Sequence, residues 1–126
     1  MTRIKLTSSN QFNKKVITTK CPVTFTLLKM GGRWKPLIIN RLLQEDKRYG
    51  DLKKSIPGIS EKMLTQSLKE LETDGLIARH AHPGARLHVT YTLTEKGRDL
   101  HPILLTMVDW AMKYNIPAGI GEPVSA

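Results

Sequence analysis

Between residues 50 and 75 the sequence permits one break in a helical pattern and fixes where it falls. Gly50-Asp51-Leu52-Lys53-Lys54-Ser55-Ile56 reads as two helical turns. Pro57-Gly58 ends them, because proline disfavours helical backbone in the residue before it and glycine supplies a turn. Ser60 is placed to cap a second helix from about Glu61 to Asp74, and Gly75 stands where a left-handed residue closes a helix. Two helices so close in sequence, joined by a tight turn, form a helix-turn-helix.

The second of these helices is two-sided. At roughly 100° per residue, Leu64, Ser67, Leu68 and Leu71 share one side and Lys62, Thr65, Gln66 and Lys69 the other. An ordinary solvated helix face has the same pattern. A helix lying in a DNA major groove also needs it, since Lys can donate to guanine and Gln can pair with adenine. The segment C-terminal to this helix favours the groove. Leu76 to Ala81 and Leu87 to Leu93 are strand-like runs on either side of Pro83-Gly84-Ala85, so a β-hairpin succeeds the candidate recognition helix as the wing of a winged helix. Arg86 at its tip suits the concentrated negative potential of a narrow minor groove. His88 beside it and Ser60 at the helix start complete the expected DNA-binding set of Ser60, Lys62, Thr65, Gln66, Lys69, Arg86 and His88.

On the N-terminal side, a helix is expected from Cys21-Pro22 to Gly31-Gly32, turning Phe25, Leu27 and Leu28 toward a core. A second is expected from about Trp34 to Leu43, with Trp34 in the core and a broad apolar face from Leu37 to Leu43. A short extended piece is expected at Arg48-Tyr49. The last helix begins near Thr94 and should kink at Pro102. Beyond the kink its apolar residues cover more of the circumference than one packing surface needs. Ile103, Leu104, Met107 and Ala111 are therefore expected to face a partner chain, the alternative being a kinked helix that wraps one domain and buries them within the same chain. The fold class is α+β, mainly α. Residues 21–115 are expected to form the winged helix-turn-helix with its flanking N- and C-terminal helices, 1–20 a loosely held basic arm and 116–126 a tail rich in helix breakers.

Charge narrows the partner. The net charge is +9, and nine Lys and Arg residues, from Arg3 to Arg41, precede the first acidic residue, Glu45. Such a basic N-terminal segment suits a polyanion, because each cation set on a phosphate releases a counterion. No run of about 18 apolar residues exists to span a membrane, and residues 1–20 lack the apolar stretch of a signal peptide, so a cytoplasmic site and no membrane partner are expected. Neither a phosphate loop nor a nucleophile with a partner base is evident, so neither enzymatic activity nor a cofactor is expected. His80, His82 and His88 crowd the hairpin without an accompanying carboxylate or second cysteine, so they read as phosphate-facing or solvated histidines and not as a metal site. The lone cysteine, Cys21, precedes a helix and follows Lys20. Both features favour the thiolate, which leaves a redox switch and a structural cap open as alternatives.

Several motifs together resemble one family. They are Cys21-Pro22, Gly31-Gly32-Arg33-Trp34-Lys35, Arg48-Tyr49-Gly50-Asp51-Leu52 and Pro57-Gly58-Ile59-Ser60-Glu61-Lys62-Met63-Leu64-Thr65, followed by Leu68 to Ile77, Tyr91-Thr92-Leu93-Thr94 and Gly97. Across about three-quarters of the chain the sequence is similar to the HxlR-type winged helix-turn-helix transcription regulators. The resemblance implies a homodimer held by its terminal helices, binding of double-stranded DNA at inverted-repeat operators, and, in some members, sensing of small electrophiles or oxidants through the cysteine matching Cys21. Two other function classes stay open on the residues alone: a nucleic-acid-binding module without sequence preference, and a winged helix that binds proteins.

Overall fold

The computed structural model describes residues 21–84, 86 and 88–114. The expected basic arm, the expected C-terminal tail, and Ala85 and Leu87 of the expected wing lie outside the described residues. The chain divides into two compact units between Gly32 and Arg33.

In the first unit, helix α1 (Pro22–Met30) starts with Cys21 as its N-cap and Pro22 in its first turn, where the missing N–H costs nothing. It ends as the Gly31 N–H donates to the Leu27 carbonyl, 2.6 Å away. Its apolar side chains differ from expectation: Phe25 and Leu27 are exposed, Leu28 is half-buried and Met30 is buried. A helix of nine residues has few inward positions, and Met30, nearest its C-terminus, takes the buried one.

The second unit runs α2 (Lys35–Gln44), β1 (Lys47–Arg48), α3 (Tyr49–Ser55), α4 (Glu61–Thr73), β2 (Ile77–His82), β3 (His88–Leu93), α5 (Glu95–Arg98) and α6 (His101–Lys113). Its core is aliphatic. Ile38, Ile39 and Leu42 of α2 are buried with Leu52, Ile56 and Ile59 around the turn, Leu64, Leu68 and Leu71 of α4, Leu76 and Ile77, and Leu93 and Leu104. Trp34 stays half-buried, its ring covered by the Arg33 guanidinium 4.4 Å from the centroid. A ring so large is sheltered by a cation at the rim as well as by a core.

Gly58, with φ of +85°, makes the turn between α3 and α4. The turn lifts Ser60 into capping position, where its hydroxyl accepts from the Met63 N–H at 3.1 Å. Gly75, with φ of +74°, closes α4, and the Leu76 N–H reaches back to the Leu71 carbonyl at 2.9 Å. The hairpin then pairs Ile77 with Leu93 through His82 with His88, and β1 adds on the other side of β3, giving the order β1-β3-β2. The extended piece falls one residue earlier than expected, at Lys47–Arg48, because Tyr49 already belongs to α3.

Thr94 joins the wing to α4. Its N–H donates to the Leu76 carbonyl, its hydroxyl donates to the Gly75 carbonyl at 2.6 Å, and the same oxygen accepts from the Gly97 N–H. Lys96 adds a bond from Nζ to the Asp74 carbonyl at 2.9 Å. The expected kink at Pro102 is instead a break. α5 ends at Arg98, and Pro102 lies in the first turn of a new helix, α6, where it removes no helical hydrogen bond. The break lets Leu104 turn inward at 5% exposure, so it belongs to the core of this unit and not to the outward surface expected of it.

Gly97 is buried, and a Cβ there would run into the Leu76 carbonyl and come 2.9 Å from Leu93 Cδ2. Gly50, exposed in α3, has nothing within 4 Å of the same position. Gly97→Ala is expected to destabilise the fold by about 1–3 kcal/mol in urea titration, because backbone cannot yield to the methyl group. Gly50→Ala should leave stability unchanged or raise it by up to about 1 kcal/mol.

Candidate nucleic-acid interface

Burial of one side of α4 decides what its other side offers. Leu64, Ser67, Leu68 and Leu71 are buried, while Lys62, Thr65, Gln66 and Lys69 are all exposed. The last four, with Tyr49 and Glu61, line an open hollow of about 550 Å³. It presents two cations, two hydroxyls, an amide and the carboxylate of Glu61, and the cations, hydroxyls and amide are donor and acceptor types that base edges and phosphates require.

Tyr49 is a member of this surface that periodicity did not single out. Its hydroxyl donates to the Glu61 carbonyl at 3.2 Å and lies 3.1 Å from Thr65 Oγ1. Having one hydrogen, the phenol then accepts from Thr65, so the threonine side chain is held with its oxygen lone pairs still free to accept. Gln66 is also held: its Nε2 donates to Glu70 Oε2 at 3.1 Å, and Glu70 Oε1 pairs with Lys35 Nζ at 2.8 Å. The Gln66–Glu70 bond could have been found from i,i+4 spacing. Nothing local signals the Tyr49–Thr65 bond, which spans 16 positions and depends on how α3 crosses α4.

The remaining expected residues are dispersed. Ser60 is exposed, but its oxygen is already used as the cap of α4. Arg86 is exposed on the segment between the wing strands. His88 is half-buried and stacks on its cross-strand partner His82, with ring centroids 4.5 Å apart. His80 has a ring nitrogen 3.2 Å from Thr92 Oγ1. Among the described residues no group of three His, Cys, Asp or Glu side chains is arranged to hold a metal, and no helix is long and apolar enough to cross a membrane.

On α6, Ile103, Met107, Trp110 and Met112 are exposed, Trp110 at 68%, and Ala111 is half-buried. In the first unit, the Thr24 hydroxyl donates to Cys21 Sγ at 3.3 Å. That bond, aided by the backbone N–H groups of Thr24 and Val23 at the helix start, holds the Cys21 thiol below its usual pKa against a small opposing effect of burial.

Comparison with known proteins agrees with this geometry. The family model described as HxlR-like helix-turn-helix matches residues 29–118. The HTH-type transcriptional regulator YdeP of Bacillus subtilis is 44% identical over 94 residues, spanning 75% of this chain and 73% of its own length. Among solved structures, the redox regulator HypR in its oxidised form is 39% identical with a TM-score of 0.71, covering 78% of this chain and all of HypR. The reduced form of the transcriptional regulator YodB from B. subtilis is 37% identical with a TM-score of 0.67, covering 81% of this chain and 98% of YodB. A helix-turn-helix whose second helix has one face exposed, a wing fastened to the end of that helix and these likenesses lead to one conclusion: the chain belongs to the HxlR-like helix-turn-helix family of transcriptional regulators.

Proposed function

We propose that this regulator acts in the cytoplasm as a homodimer, reads an inverted-repeat operator with the exposed side of α4, and is released from it when Cys21 is modified by an oxidant or electrophile. The observation that carries base reading is the exposed set Lys62, Thr65, Gln66 and Lys69, in which Thr65 and Gln66 are held in place by Tyr49 and Glu70. Side chains ordered before binding lose less entropy on contact and tolerate a wrong base less well. Arg86 and His88 of the wing, with Ser60 at the helix start, would add contacts to sugar, phosphate and minor groove.

Dimerisation is supported by the outward apolar side chains of α6, among them Ile103, Met107 and Trp110. An exposed patch of large apolar side chains marks a surface that a partner covers, and a two-fold axis through it would set two recognition helices about one helical turn of DNA apart. Sensing is supported by the thiolate-favouring surroundings of Cys21 and by similarity to HypR, a redox regulator. With one cysteine per chain, a sulfenate could proceed only to an intersubunit disulfide or a small-thiol adduct. Because both half-sites must be engaged at a fixed separation, a small change in dimer geometry forfeits bivalent binding.

Four outcomes are expected. In gel-shift titrations Gln66→Ala should lose about 1–3 kcal/mol on the selected operator and almost nothing on a scrambled duplex. Equal losses on both would assign this side of α4 to phosphates alone. Met107→Asp should convert the dimer to monomer in sedimentation at micromolar concentration, and a wild-type protein that is already monomeric there rejects the dimer. Diamide or quinone should release wild-type protein from DNA but not Cys21→Ser. Thr24→Val, which removes the bond to Sγ, should shift the pH profile of Cys21 alkylation to higher pH, since the lowered thiol pKa depends first on that hydroxyl. Full DNA affinity after verified thiol modification would leave Cys21 a structural cap.

A further inference from the structure

We propose that Glu70 is a positioning residue that fixes which end of the Gln66 amide faces DNA, so that Gln66 favours a base bearing an amino group in the major groove, adenine before cytosine, over guanine or thymine. The inference rests on the reading of α4 as the base-reading helix.

A glutamine amide has a donor end and an acceptor end that exchange by a half-turn of its last torsion. Unrestrained, it can accept from an adenine or cytosine amino group or donate to guanine O6 and N7. Here the choice is constrained. Gln66 Nε2 lies 3.1 Å from Glu70 Oε2. An ionised carboxylate only accepts, so the reversed amide would set Oε1 against Oε2, two acceptors facing each other with no hydrogen between them.

The carboxylate is itself anchored. Its other oxygen is 2.8 Å from Nζ of Lys35, whose side chain is 14% exposed and comes from α2, a different element of the same unit. Lys35 offsets the charge that an acidic residue would otherwise bring near phosphates, and it divides the two carboxylate oxygens between itself and Gln66. Oε1 of Gln66 is thereby left for the open side, beside Lys62, Thr65 and Lys69. Adenine N6 and cytosine N4 are the amino donors of the major groove, whereas guanine O6 and N7 and thymine O4 are acceptors. Nε2 keeps one more hydrogen; adenine alone can accept it at N7 while donating from N6 to Oε1, whereas guanine and thymine can take that hydrogen but leave Oε1 without a donor, so adenine is the first preference.

The test is a selection from duplexes with a randomised core, using the full chain as wild type, Glu70→Gln, Glu70→Ala and Gln66→Ala, with every variant checked by thermal melting. Glu70→Gln keeps the shape of the side chain and removes only its acceptor-only character. Wild type is expected to show one position per half-site at which amino bases on one strand outnumber keto bases by about tenfold. Both Glu70 variants should reduce that ratio at least threefold and leave the other positions unchanged, and Gln66→Ala should erase it. If Gln66→Ala erases the preference and neither Glu70 variant alters it, the positioning role is overturned and base reading by Gln66 stands. Should the Gln66-dependent position select guanine or thymine in wild type, the assigned amide orientation is wrong. An unchanged profile in Gln66→Ala rejects both the positioning role and the reading it rests on.

Discussion

The rotation of α4 about its own axis is set by four side chains, Leu64, Ser67, Leu68 and Leu71, all removed from water. Burying three leucines is worth several kcal/mol in total, at about 1.5–3 kcal/mol each, and a turn of the helix by one residue position would trade that burial for exposure of the same groups. Ser67 is the small member of the row, buried like the leucines on either side of it. Everything on the open side is located by this packing. Lys62, Thr65, Gln66 and Lys69 are aimed outward because the opposite positions are aimed inward. The exposed surface of α4 is thus specified by core residues on its opposite side.

A second constraint acts at the C-terminal end of the same helix. Carbonyl groups there have no partner within the helix and must find one elsewhere. Thr94 and Lys96, just beyond the second strand at the base of the hairpin, donate to the carbonyls of Gly75 and Asp74. The close approach of Gly97 to Leu76 holds the junction tight. The wing therefore shares a base with α4, so the direction in which it projects is tied to the orientation of that helix. Only Ile77 of β2 is buried, and from Arg79 to His82 the strand is exposed, as suits an arm that extends away from its core.

Much of this is legible in the sequence where a signal is local. The Pro57-Gly58 break, the caps at Ser60 and Thr94, the two faces of α4 and the hairpin each depend on residues within a few positions of one another, and periodicity or turn chemistry reveals them. Legibility fails where an outcome depends on which of two locally equivalent choices the tertiary structure prefers. Pro102 can kink a helix or begin one, and the fold begins one. Phe25 and Leu27 look like core by type, but α1 leaves them outside. Leu104 and Met107 share an apolar helix three residues apart, yet one is enclosed and the other is 46% exposed. The hold of Tyr49 on Thr65 is invisible to any pattern, since it arises only when α3 and α4 cross.

The fastening of the hairpin at its base bears on how such a protein can diversify. The register from Ile77–Leu93 to His82–His88 is pinned at the end nearest α4 by Thr94, and the strand order places β3 between two partners. Because side chains along a strand alternate with a period of two, residues gained or lost in pairs at the far end leave every pairing below them on its original face. The hairpin can consequently be lengthened or shortened without disturbing the packing that orients α4. A lineage built on this scaffold can vary the wing and the exposed side of α4 as separate traits.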